Sequence, residues 1–292
     1  MMSNQFFKKF GSILVLTVFI LSFFSYYGEN RTSASANLQV HYIDVGQGDA
    51  MLLKLPNGQN MVIDAGDNQY GQSVVNYIKN QGVSHIDYVV GTHPHADHIG
   101  GLDDVIKSFS IGKIYMPSQT STSQTYLDVI NAINAKKLTI TRAAAGVSII
   151  NTTVSGKTFQ MFMTGPVKNY SNTNDNSAVI KAVYGSTSFL FTGDAEHAAE
   201  TDMINAGYDL RANILKVGHH GSDTSTSTAF LNKVNPSASV ISVGSNSYGH
   251  PTSSTINRLL NMGSKIYRTD MNGTVIITTS GSGWLVNKSA WR

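Results

Sequence analysis

From residue 38 to residue 287 the chain alternates short apolar runs, rich in Val, Ile and Tyr, with amphipathic segments of helical spacing. Apolar side chains two apart mark a strand, and those three or four apart mark a helix. This alternation calls for sheets whose faces are covered by helices. Strands are expected at 38–45, 50–56 and 60–66, then a helix at 73–82 and a strand at 86–93. A helix over 100–108, a strand over 113–117, a helix over 124–137 and a strand over 138–143 follow. Strands at 158–164, 177–184 and 188–194 open the second half, and helix then alternates with strand up to a closing hairpin at 273–287. Apolar content of 41% against 13% charge supplies a core and excludes extensive disorder. No linker, charge run or repeat of fixed period divides this stretch. Residues 37–292 therefore read as one domain of the α/β class, a four-layer αββα sandwich with two sheets packed face to face.

The first 36 residues differ in character. Lys8 and Lys9 precede the apolar run 13–24, and "SASA" at 33–36 places small residues at Ala34 and Ala36. This is the pattern of a signal peptide covering 1–36, cut after Ala36. The apolar run is short for a bilayer crossing, and a membrane-anchored chain with an uncleaved leader is the alternative. Cleavage takes away Lys8, Lys9, Arg31 and Glu29, lowering the formal charge from +3 to +1. So small a charge excludes a protein drawn to nucleic acid by its overall field, and any polyanion must be gripped locally. The sequence has no cysteine, so there are no disulfides and no thiolate to bind metal or attack a substrate.

The chemistry concentrates in "THPHADHIGG" (92–101), which holds three of the nine histidines within six positions. His93 and His95 are two apart and face one side of an extended chain. Asp97 and His98 follow where the chain turns towards a helix. Imidazole nitrogen and carboxylate oxygen suit a pair of divalent ions, zinc or manganese. One hexapeptide cannot close such a site. The remaining donors are Asp194 at the end of "FLFTGD", His219 and His220 in "LKVGHHGS", and His250 in "YGHP", each at the C-terminal end of an apolar run. His41, His85 and His197 lie in strand, polar or helical contexts and are assigned no ligand role.

These residues resemble the metallo-β-lactamase superfamily, whose hallmark is the H-x-H-x-D-H run. Within it the match is to the branch that holds ComEC-like hydrolase domains of DNA-uptake competence proteins and secreted phosphorylcholine esterases of Gram-positive bacteria. The blocks "YIDVGQGDAMLL", "VIDAG", "THPHADHIGG", "NDNSAV", "LFTGD", "LKVGHHGS" and "YGHP" occur in that order, and the resemblance spans about residues 38–288. It implies one ion held by His93, His95 and a histidine of "HHGS", and another by Asp97, His98 and His250, with Asp194 bridging. The superfamily's usual third histidine is missing, and "NDNS" stands in its place. That shifts the duty to His219 or His220, which point opposite ways if the segment is extended. His220 is assigned to the metal, and His219 to the substrate as proton donor for the leaving oxygen. Asp97 is assigned a share in handling the proton, and Asn176, Lys216 and Ser222 are assigned to substrate binding. Asp44, Asp49 and Asp64 are placed behind the ligands, orienting the histidines.

The function implied is a secreted hydrolase, monomeric and dependent on two divalent metal ions. Its expected reaction is phosphodiester cleavage of a nuclease-like kind, on extracellular DNA or wall teichoic acid. Phosphorylcholine esterase, lactonase or β-lactamase-like activity keeps the chemistry and changes the substrate. A metal-stabilised surface-binding protein without turnover is the alternative of another class.

Overall fold

The computed structural model describes residues 36–292, and the expected leader lies outside the described residues but for Ala36. In chain order the first half holds β1 (Leu38–Tyr42), β2 (Ala50–Lys54), β3 (Asn60–Ala65), α1 (Gly71–Asn80), β4 (His85–Val90), α2 (Ala96–Ile99) and α3 (Leu102–Ser108). It continues through β5 (Ser110–Met116), α4 (Gln124–Ala135) and β6 (Ile140–Arg142). The second half runs through β7 (Ser148–Val154), β8 (Lys157–Gly165), β9 (Val179–Tyr184), β10 (Thr187–Phe191), α5 (His197–Asn205) and β11 (Ile214–Lys216). It ends with α6 (Thr228–Val234), β12 (Ala238–Ile241), α7 (Ser253–Asn261), β13 (Lys265–Arg268), α8 (Thr269–Asn272), β14 (Val275–Thr279) and β15 (Leu285–Val286).

Two sheets result, one ordered β15-β14-β1-β2-β3-β4-β5-β6 and the other β13-β12-β11-β10-β9-β8-β7. Each joins an antiparallel half to a parallel half: pairing turns parallel at β3–β4 in the first and at β10–β11 in the second. The repeat is one of topology, invisible as a sequence period. Strand alternation builds the layers. Leu38, Val40 and Tyr42 of β1 meet Phe189 and Phe191 of β10 in a core between the sheets. Their neighbours Leu52 and Val62 face outwards against Val75 and Ile78 of α1 in a second core, and Leu190 faces Phe230 of α6 in a third. Burial on both faces explains why these strands read as nearly unbroken apolar runs. The expected four-layer sandwich is the fold observed.

Two elements depart from expectation. The helix expected over 100–108 is α3, which starts only at Leu102, and the unexpected short helix α2 precedes it, parted from it by Gly100 and Gly101. A Cβ on Gly100 would lie 2.3 Å from the backbone nitrogen of Asn68, so only glycine lets this corner sit against the end of β3. β7 was not expected at all: its "INTTV" stretch is largely exposed and lacks the apolar alternation that marks a strand.

Candidate metal centre

The site forms where the C-terminal ends of parallel strands from both sheets meet. Asp64 lies near the end of β3, and β4 runs on to Thr92 and His93. β10 leads to Asp194, and β11 leads to a turn over Gly218–Gly221. Side chains leave the ladder there and enter loops held by the rigid layers beneath.

Three buried imidazoles are each fixed through Nδ1. His93 Nδ1 lies 3.2 Å from Thr92 Oγ1 and 3.3 Å from Ser177 Oγ. His98 Nδ1 donates to Asp64 Oδ2 at 2.9 Å, and His220 Nδ1 donates to the Ser242 carbonyl at 2.9 Å. With Nδ1 engaged, all three Nε2 atoms turn towards Asp194 Oδ2, at 3.9 Å for His93, 3.2 Å for His98 and 3.6 Å for His220. Asp97 Oδ2 joins at 3.2 Å from His220 Nε2, and ligand atoms of Asp97, His98, Asp194 and His220 all lie within 4.8 Å of one another. On the other flank, His95 Nδ1 is 3.0 Å from His93 Nε2.

The arrangement fits a cation better than it fits a protein-only network. His98 Nε2 and His220 Nε2 face each other at 3.3 Å, although both rings already donate through Nδ1. Asp194 Oδ1 and His250 Nδ1 are buried and meet no hydrogen-bond partner among the described residues. Lone pairs converging on one point are what a divalent metal satisfies, and an all-nitrogen-and-oxygen donor set suits zinc or manganese.

The surroundings tune these groups. Burial pushes the Asp194 carboxyl up, but the adjoining His98 and His220 override it and hold it well below the usual carboxylate range. His98 is disfavoured as a cation by burial, yet Asp194 and Asp97 raise it well above its ordinary value. His93 is held well below its ordinary value by burial and by the neighbouring His98, and so presents a neutral ring. Asp64 is further pinned by the Thr92 backbone N–H at 2.8 Å and the Thr92 hydroxyl at 2.6 Å. Asp49 lies 3.5 Å from His220 Nδ1 and 3.9 Å from His98 Nδ1, with its charge met by Lys216 Nζ at 2.7 Å. Gly48 closes this side, because a Cβ there would stand 2.4 Å from the Asp97 carbonyl.

Several sequence assignments need correcting. "HHGS" is not extended: His219 and His220 both have positive φ, 46° and 51°, inside a tight turn. The turn still parts them, with His220 buried and His219 half-buried in the cleft, its Nδ1 2.9 Å from Glu196 Oε1 and its Nε2 3.8 Å from Asp194 Oδ2. His220 sides with Asp97 and His98, not with His93 and His95. Lys216 is fully buried against Asp49 and does not reach substrate. Asn176 is buried too, its amide donating to the carbonyls of Tyr170 and Asn172, so it braces its own loop. Ser222 is buried with its hydroxyl on Thr224. Asp44 is exposed and caps the Gly46 N–H at 3.1 Å, closing a turn instead of orienting a histidine. His250 lies on the cleft wall, its ring 5.3 Å from that of His219.

The cleft above the cluster has a volume of about 640 Å³ and is lined by His95, Asp97, Asp194, His219, His220 and His250. Gln47, Asp67, Gln69, Tyr70 and Tyr248 also line it, and none of them was singled out from sequence. Two further residues were missed. Ser177 touches both His93 and the Asp194 backbone, and it is the serine of the "NDNS" block. Glu196, two positions after Asp194, backs His219, and that short spacing was its available signal.

Comparison with known proteins agrees with this fold. The family model described as "Metallo-beta-lactamase superfamily" matches residues 43–245. ComE operon protein 3 of Bacillus subtilis is 28% identical over 260 residues, covering 82% of this chain and 33% of that protein. Competence protein ComA of Neisseria gonorrhoeae is 31% identical over 235 residues, covering 80% of this chain and 31% of that protein. The chain thus spans about a third of the length of the curated relatives it matches. Among solved structures, the metallo-beta-lactamase fold protein YhfI from Bacillus subtilis superposes with a TM-score of 0.50 at 12% identity. That alignment covers 83% of this chain and 99% of the other, a likeness of fold.

Proposed function

The chain belongs to the metallo-beta-lactamase superfamily, and from that premise we propose that it is a phosphodiesterase dependent on two divalent ions, zinc or manganese. Its proposed substrates are phosphodiester polymers outside the cell, DNA above all and wall teichoic acid beside it, met by an exported monomer. The observation that carries this reading is the convergence of three Nδ1-anchored histidines on Asp194 at the floor of an open cleft. A closed structural site would use up its donors, whereas this one opens to a substrate. Similarity to competence proteins favours a nucleic acid over the lactone or β-lactam alternatives.

Asp97, His98, Asp194 and His220 would hold one ion, and His93 with His95 the other, with Asp194 between them; His250, whose buried Nδ1 meets no partner among the described residues, stands on the cleft wall as a further donor. When bound, such a pair supplies a water activated near neutral pH and positive charge for the phosphoryl oxygens. Asp64 and the Ser242 carbonyl keep His98 and His220 in the ligating orientation. His219 stands free of that set: Glu196 holds its Nδ1, leaving Nε2 in the cleft to give a proton to the leaving oxygen. Asp97, only partly buried beside His220, would take up the proton that the attacking water releases as its bond to phosphorus forms.

The test is a screen of purified protein, loaded with zinc or manganese, against bis-p-nitrophenyl phosphate, DNA, p-nitrophenylphosphorylcholine and nitrocefin. Metal-dependent cleavage of the first two is expected. Turnover of nitrocefin or the choline ester alone would move the protein to another substrate class, and no turnover of any would favour a binding role.

A further inference from the structure

Tyr248 is 74% exposed on the wall of the cleft, beside the metal centre rather than remote from it. One face of its ring lies along His250, with centroids 5.7 Å apart and planes 29° from parallel, and the other is open. The loop beneath is tightly built. Asn246 Oδ1 accepts the backbone N–H of Tyr248 at 3.1 Å and of His250 at 3.0 Å, while its Nδ2 donates to the carbonyls of Gly244 and His250. The Gly244 N–H in turn donates to Gln47 Oε1 at 3.3 Å. One asparagine thus clamps both ends of the segment that presents the tyrosine. A ring held in advance loses little freedom on stacking, which is how rigid aromatics yield affinity.

Among the described residues, no Lys or Arg lines the cleft. A phosphodiester approaching it meets no lysine or arginine among the described lining residues, so recognition beyond the metal centre rests on uncharged contacts. Gln47 and Gln69 offer amides, and the exposed ring offers a π-face. We propose that Tyr248 is a specificity-determining residue that stacks the base of the nucleotide whose phosphate lies at the metal centre. The proposal rests on the phosphodiesterase reading and names what that site selects: a phosphodiester that carries a nucleobase beside the scissile group. Every base has a π-face, so such a contact selects nucleotides over ring-free phosphodiesters while tolerating any base sequence.

Two esters with the same p-nitrophenolate leaving group test it: thymidine 5′-(p-nitrophenyl phosphate), and methyl p-nitrophenyl phosphate, which lacks the nucleoside. The wild type should prefer the nucleoside ester in kcat/KM. Tyr248→Ala should shrink that preference by roughly tenfold, within the range for losing one stacking aromatic, and Tyr248→Phe should retain it. Quenching of a 2-aminopurine dinucleotide gives a second readout that needs no turnover. It should be strong in wild type and Tyr248→Phe and weak in Tyr248→Ala. If neither ester is cleaved but the quenching still depends on the ring, the phosphodiesterase reading fails and the stacking stands. If Tyr248→Ala slows both esters in equal proportion, or leaves quenching unchanged, Tyr248 only supports His250 and the proposal is overturned.

Discussion

At the scale of single residues, the site is a set of imidazoles each told which way to face. Asp64 and the Ser242 carbonyl engage Nδ1 of His98 and His220, so that both offer Nε2 inward, and on the proposed reading this carboxylate behind the site would set metal affinity. Asp64→Asn should weaken metal binding by about 10–100-fold, read by competition with a chromogenic chelator, because an amide can present an N–H where His98 needs an acceptor. Unchanged affinity would show that His98 needs no such partner. His220→Ala should lose metal and activity together. His219→Ala should keep its metal and turn over roughly 10²–10⁴-fold more slowly, the cost of a missing general acid. Metal loss in the His219 variant with retention in the His220 variant would invert the assignment. The residues that converge on Asp194 were legible in sequence because metal chemistry restricts residue type so strongly. Lys216, Asn176 and Ser222 were misread because sequence shows that a polar side chain is near a motif, not whether its partner is substrate or backbone.

At the scale of elements, the strands were legible wherever both faces are covered, as in β2 and β10, whose apolar runs admit little else. β7 escaped because a mostly exposed edge strand needs no apolar face. The Gly218–Gly221 turn escaped because positive φ at two successive histidines has no local sequence signal. β1 carries an exception on its outer face. His41 is buried there, its Nδ1 2.8 Å from the Tyr77 hydroxyl of α1. Burial, with the Lys54 cation nearby, lowers its pKa from 6.5 to about 4. The folded state therefore binds this proton less readily than the unfolded chain, so the stability it contributes is present above pH 6.5 and is lost as pH falls towards 4. From pH 7 to pH 5 the loss should be about 2 kcal/mol. Urea denaturation of His41→Gln should lose correspondingly less over that interval than the wild type. Parallel losses in the two proteins would contradict this.

At the scale of the whole molecule, two half-antiparallel, half-parallel sheets bring their strand ends to one edge, and the donors from distant blocks meet there. The sandwich and its family were legible because alternation and ordered motifs are properties of the whole chain; the duplicated topology was not, since it leaves no periodic residues. The formal charge of +3 and a cleft lined, among the described residues, by no Lys or Arg bear on polymer substrates. With few phosphates met by cations, DNA cleavage should show a shallow log–log dependence on salt, with a slope nearer −1 than the steep values of a basic-groove nuclease. A steep slope would point to a cationic surface elsewhere on the chain. The convergence on Asp194 is tested most directly by elemental analysis of protein purified without chelator, wild type beside Asp194→Asn. About two transition-metal ions per wild-type chain are expected, with the largest loss in the variant, since one carboxylate serves both positions. Wild-type protein that holds no stoichiometric metal after loading with zinc and with manganese would contradict it.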